Sequence, residues 1–237
     1  MTKRFFLTVL IALLFGATAA ADPALNGRWF SDEWGEVFVF DNGNWELWAG
    51  EYPEMRGTYT VENGTIIFTG THLGGNGLHY LGLDGIDAQG WYSIDELFQM
   101  LVEEIDEMFG SLLYELLAED LLDEFIAEIF SEQEEIQEEG AEMLAAMDET
   151  ERAVYQRAVE RFSEVMLAQL DAVLEFTELP QALRAATIFM AEMMAFEFWG
   201  ISMRFAEDIA PFSGTYSISG DTLTITIAGN PVEFTRR

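Results

Sequence analysis

Apolar and polar residues alternate along residues 57–69 (G-T-Y-T-V-E-N-G-T-I-I-F-T), and the alternation returns at 214–226 (G-T-Y-S-I-S-G-D-T-L-T-I-T). Each copy reads as a strand, a two-residue turn and a second strand. The turns are Asn63-Gly64 and Gly220-Asp221, dipeptides suited to tight hairpins. Side chains alternate across a strand, so Tyr59, Val61, Ile66 and Phe68, with their counterparts Tyr216, Ile218, Leu223 and Ile225, are expected to face a core. Thr65, Thr69, Thr222 and Thr226 then face outward. Strands are read at 28–31, 36–40, 44–48, 55–61, 65–71, 213–219, 222–227 and 232–236, divided by turn chemistry such as Asp41-Asn42-Gly43.

Between the fifth and sixth of these the period changes from two to near 3.6. Ser93 and Glu96 form a capping-box pattern, after which Ile94, Leu97, Leu101, Ile105, Met108 and Leu112 recur on one helical face. A broader stripe, Leu116 to Ile129, follows a bend expected at Gly110, and the Glu-rich segment 131–140 reads as a corner. A further amphipathic helix carries Val154, Val159, Phe162, Val165, Met166, Leu170 and Val173, with Arg152, Arg157 and Arg161 placed to pair with nearby acids, and Pro180 ends it. Residues 185–203 contain only Glu192 and Glu197 as charges. That length suits a membrane span, but two carboxylates at mid-depth cost about 5 to 7 kcal/mol, and a central helix of a bundle fits better.

The start of the chain adds a location. Lys3 and Arg4 precede an apolar run, and Ala17, Ala19 and Ala21 follow, the pattern of a secretory signal peptide cleaved after Ala19 or Ala21. Residues 1–21 are therefore read as the leader, 22–90 with 211–237 as a discontinuous β-domain, and 91–210 as an acidic helical insertion. The expected location is periplasmic or secreted. The chain holds no Cys, which rules out disulfides and a cysteine-linked lipid anchor. Its formal charge of −32 becomes −34 once Lys3 and Arg4 leave, so nucleic acid and anionic membrane surfaces are repelled and make poor partners, and no nucleic acid is expected.

Gly27-Arg28-Trp29 resembles the G-x-W of the first lipocalin strand, and Arg236 or Arg237 ends the last strand where that family packs an arginine over the tryptophan. With the repeated G-T-Y hairpins, the chain is most similar to small bacterial lipocalin-like envelope proteins. The resemblance covers the β part alone, and the family's T-D-Y element has no counterpart. It implies an eight-stranded antiparallel barrel or sandwich, here interrupted by an all-α insertion, and a carrier of small apolar molecules. The fold class expected is α+β.

Candidate chemistry is sparse. The glycine-rich segment 72–93 lacks the G-K-[ST] of a phosphate loop and any Lys or Arg. His72 and His79, the only two His, share it with Asp84 and Asp87, but their spacing matches no recognised zinc site. No motif calls for a cofactor or metal. Nucleophilic catalysis has no G-x-S-x-G and no Cys. Three functions remain, in order. The first is non-catalytic binding of an apolar small molecule or lipid, lined by Trp29, Phe38, Phe40, Tyr59, Phe68 and Tyr216, with Met193, Phe196 and Trp199 from the Met- and Phe-rich helix. The second is an envelope protein-interaction module using the helical insertion. The third is a hydrolase using Glu192 and Glu197.

Overall fold

The computed structural model describes residues 21–32, 35–81, 85–173 and 181–237, with 79–81, 132–139 and 173 described by backbone alone. The leader expected over 1–21 lies, Ala21 apart, outside them. The chain divides into two compact units: the described residues up to Asn76 together with Ile209–Arg237, and Gly77–Asp208.

The first unit is a closed antiparallel barrel of eight strands. They are β1 (Gly27–Phe30), β2 (Glu36–Asp41), β3 (Asn44–Ala49), β4 (Tyr52–Glu62), β5 (Thr65–Gly74), β6 (Phe212–Ser219), β7 (Thr222–Ile227) and β8 (Asn230–Arg236). Each pairs with its chain neighbour, β5 pairs with β6, and β8 returns to β1 through Trp29↔Arg236, so no edge stays open. The hairpins form at the expected turns. Asn63 and Gly64 both take positive φ, 51° and 77°, whereas at the second turn Gly220 takes φ 60°, the two arrangements that match the twist of paired strands. All eight predicted core positions of the repeat pack in one cluster with Leu25, Trp29, Phe38, Phe40, Trp45 and Phe234.

One end of the barrel is closed from within the chain. A short 3-10 helix, Pro23–Leu25, is capped by Asp22, and its Leu25 is fully buried. Trp29 Nε1 donates to the Leu25 carbonyl at 2.6 Å, and Tyr216 donates its hydroxyl to Asp22 Oδ2 at 2.6 Å. Of the two candidate arginines, Arg236 lies over the Trp29 ring, 4.3 Å from its centroid, and donates to the Ala24 carbonyl.

Among its described residues the second unit has four α-helices, α1 (Ile94–Ala118), α2 (Leu122–Ala146), α3 (Glu149–Val173) and α4 (Gln181–Asp208), which follow β5 and precede β6 in the chain. Ser93 and Glu96 make both bonds of the capping box. On α1, Leu97 and Ile105 of the expected stripe are buried and Ile94, Leu101 and Leu112 pack half-buried against the core, whereas Met108 is 52 % exposed and Phe98, Val102, Phe109 and Leu113 extend the buried face. The two phenylalanines widen that face, since they bury the most apolar area. The helix is unbroken at Gly110, where a bend is expected. The helix runs on to Ala118 and the chain turns at Asp120, φ 59°. Nor is 131–140 a corner, because α2 is helical through it. Asp148 starts α3, accepting from the Thr150 and Glu151 amides while Glu151 bonds back to Asp148 N. No helix among the described residues is long and apolar enough to cross a membrane.

Candidate functional site

Strand alternation points Trp29, Phe38, Phe40, Trp45, Tyr59 and Phe68 into the barrel, and there they fill it. All are at most 6 % exposed. Phe38 and Phe40 stack at 5.5 Å between centroids, Phe40 meets Tyr59 edge-on at 5.1 Å, and Phe68 meets Trp45 edge-on at 5.2 Å and stacks on Phe212 at 4.7 Å. Five of the six expected barrel residues thus occupy the interior, while half-buried Tyr216 is tied to Asp22.

A cavity of about 160 Å³ in the barrel is lined by Glu36, Phe38, Leu47, Phe212, Val232 and Phe234 among others. Glu36 and Phe212 begin their strands, so it lies at the rim away from the 3-10 helix. Drug-sized ligands occupy pockets of about 300 to 1,000 Å³, and this one is too small for such a guest without rearrangement. Burial and the neighbouring Glu54 carboxylate raise the pKa of Glu36.

In the helical unit a larger cleft of about 280 Å³ opens between the end of α2, the start of α3 and the middle of α4. Gly140, Ala141, Leu144, Tyr155, Phe189 and Phe196 wall it, together with Met193 and Glu192. The Tyr155 and Phe196 rings lie 4.5 Å apart. Met193, at 38 % exposure, stands at the surface. Burial raises the pKa of Glu192, and burial followed by the Glu192 carboxylate pushes the Tyr155 hydroxyl up to about 12. Neither group has a cationic partner among the described residues. Comparison with protein-family models, curated proteins and solved structures gives no match to this chain.

The cleft gathers Met193 and Phe196, whereas Trp199 is half-buried beside the helical core. Glu197, five residues on from Glu192, is turned about 140° around the helix and is exposed, so the structure does not bring the two carboxylates together. Arg152 donates to the Leu144 and Met147 carbonyls instead of pairing with an acid, while Arg157 and Arg161 meet Asp95 and Glu164. His72 Nδ1 is 2.9 Å from the Thr71 hydroxyl, and Asp84 lies outside the described residues. Tyr155 and Phe189 were absent from the expected set. Their signal was faint, Tyr155 sitting three and seven residues before buried Ala158 and Phe162 on the α3 stripe.

Proposed function

We propose that this is an exported, non-catalytic binding protein for an apolar small molecule or lipid, in which the barrel, interrupted by the helical insertion, serves as scaffold and the insertion holds the ligand. The signal-like start supports export. The observation that carries the reading is the contrast between a barrel interior occupied by its own aromatic rings and an apolar helical cleft of about 280 Å³ with one carboxyl in its wall. Met193 and Phe196 would take the apolar body of the ligand, and Glu192 its polar end. With a raised pKa, Glu192 can accept a hydrogen bond when ionised and donate one when protonated.

Native mass spectrometry of protein taken from its own envelope fraction, set against the denatured mass, tests this. An added mass of lipid size, lost on denaturation and absent from Met193→Asp, is the expected result. A bare mass, together with failure to bind a fluorescent apolar probe, would overturn it. Exposed Met108, Tyr114 and Leu117 on α1 favour a second reading, an envelope protein-interaction module. Under that reading, Tyr114→Asp would release a co-purifying partner and Met193→Asp would not.

A further inference from the structure

A second groove in the helical unit, of about 250 Å³, lies between the first turns of α1 and α3 and the last turns of α4. Ile94, Phe98, Val154, Phe198, Met203 and Ala206 give it a mostly apolar wall, with Asp95, Thr150 and Arg157 as its polar lining. Ser202 joins that wall at 6 % exposure, and its Oγ has no hydrogen-bond partner. A helical hydroxyl ordinarily returns to the carbonyl four residues back, as Thr187 does to Leu183 at 2.9 Å on the same helix. Ser202 does not, and a buried hydroxyl left unbonded is a standing cost that a ligand oxygen would remove. One turn earlier, the Trp199 indole N–H is also buried and unbonded. At the rim Arg157 is already engaged, 3.0 Å from Asp95 and 5.0 Å over the Phe98 ring.

We propose that this groove is a binding site for a small apolar molecule carrying one uncharged oxygen, a hydroxyl or carbonyl, which Ser202 Oγ engages. A dry cavity of about 150 Å³ suffices for benzene, so this one takes a skeleton of roughly six to eight carbons. An anion is disfavoured three times over: by the chain's charge of −32, by the Asp95 carboxylate in the lining, and by a rim arginine already paired with it. The site shares no lining residue with the cleft beside Glu192 and does not depend on it.

Titration calorimetry of the whole chain with 1-hexanol and with hexanoate tests the assignment. Saturable binding of 1-hexanol is expected, with hexanoate weaker. Ala206→Phe, which fills the groove from an exposed position, abolishes it. Ser202→Ala weakens it about tenfold, the loss of one hydrogen bond, yet raises the melting temperature of the free protein by removing the unbonded hydroxyl. Met193→Asp leaves hexanol binding intact, which separates this groove from the other cleft. Absence of saturable binding, binding insensitive to Ala206→Phe, unchanged affinity in Ser202→Ala, or tighter binding of hexanoate would each overturn it.

Discussion

Single residues of the repeat show why its sequence is written twice. Gly57 pairs with Gly70 across β4 and β5, where a Cβ would overlap the Thr69 carbonyl, and Gly214 pairs with Ile227 across β6 and β7, where a Cβ would lie 2.5 Å from the Thr226 carbonyl oxygen. The G of each G-T-Y is thus a steric requirement of the barrel's tight strand approach, made at equivalent places in both hairpins. Gly57→Ala and Gly214→Ala are each expected to destabilise by about 3 kcal/mol, the larger loss at Gly57, read as a shift in the urea midpoint. Ala228 is the converse case. It holds φ 51° ahead of Gly229 in the last hairpin, a conformation that asparagine tolerates far better. Ala228→Asn should therefore stabilise by about 0.5 to 1 kcal/mol in the same measurement. Alternation made the core positions legible at this scale, because period two leaves only two possible faces and the wrong one exposes eight apolar side chains.

At the scale of elements, helix phase and helix ends were harder to read than strand faces. Apolar residues surround much of α1, so the expected stripe holds at Leu97 and Ile105, fails at Met108 and omits Phe98, Val102 and Phe109. The turns at Asp120 and Met147 carry no Gly or Pro, which left the Glu-rich middle of α2 as the more corner-like stretch. The cleft beside α4 was half legible for a related reason: composition singled out Met193, Phe196 and Glu192, but only the packing of α2 and α3 onto α4 supplies Leu144 and Tyr155. Its electrostatics predict a pH dependence. A carboxyl whose pKa is raised on folding binds its proton more readily when folded, so stability falls as pH rises through the ordinary carboxylate range, and Glu192→Gln should remove that fall. The substitution should stabilise at about pH 7 and change little at about pH 3, where the carboxyl is protonated in both states. For Tyr155, held at about 12 against an ordinary 10.0, the folded state keeps a proton that the unfolded chain gives up. Stability should therefore drop from pH 10 to 12, and Tyr155 should ionise earlier in Glu192→Gln, which lacks the neighbouring negative charge.

For the whole molecule, the chain order of the elements was legible because turn chemistry and period changed together near residue 90, but the filling of the barrel was not. Alternation places Phe38, Phe40, Trp45 and Phe68 inward and does not say whether their rings line a space or close it. Closure follows from how eight strands bring each of Phe40 and Trp45 to within 6.2 Å of both Phe38 and Phe68, between centroids. A barrel packed in this way has its own core, its own closing 3-10 helix and the Arg236–Trp29 contact, all within residues on either side of the helices. Ile209 lies against Gly70 in that unit, so a short flexible linker from Asn76 to Ile209 can replace Gly77–Asp208. The shortened chain is expected to fold, with strand-type circular dichroism, buried tryptophan emission and a cooperative urea transition. Arg236→Ala should lower its stability by about 1 to 2 kcal/mol through loss of the cation–π contact and the bond to Ala24. An unfolded product would mean that the barrel depends on the helices for stability, and its role as an independent scaffold would have to be given up.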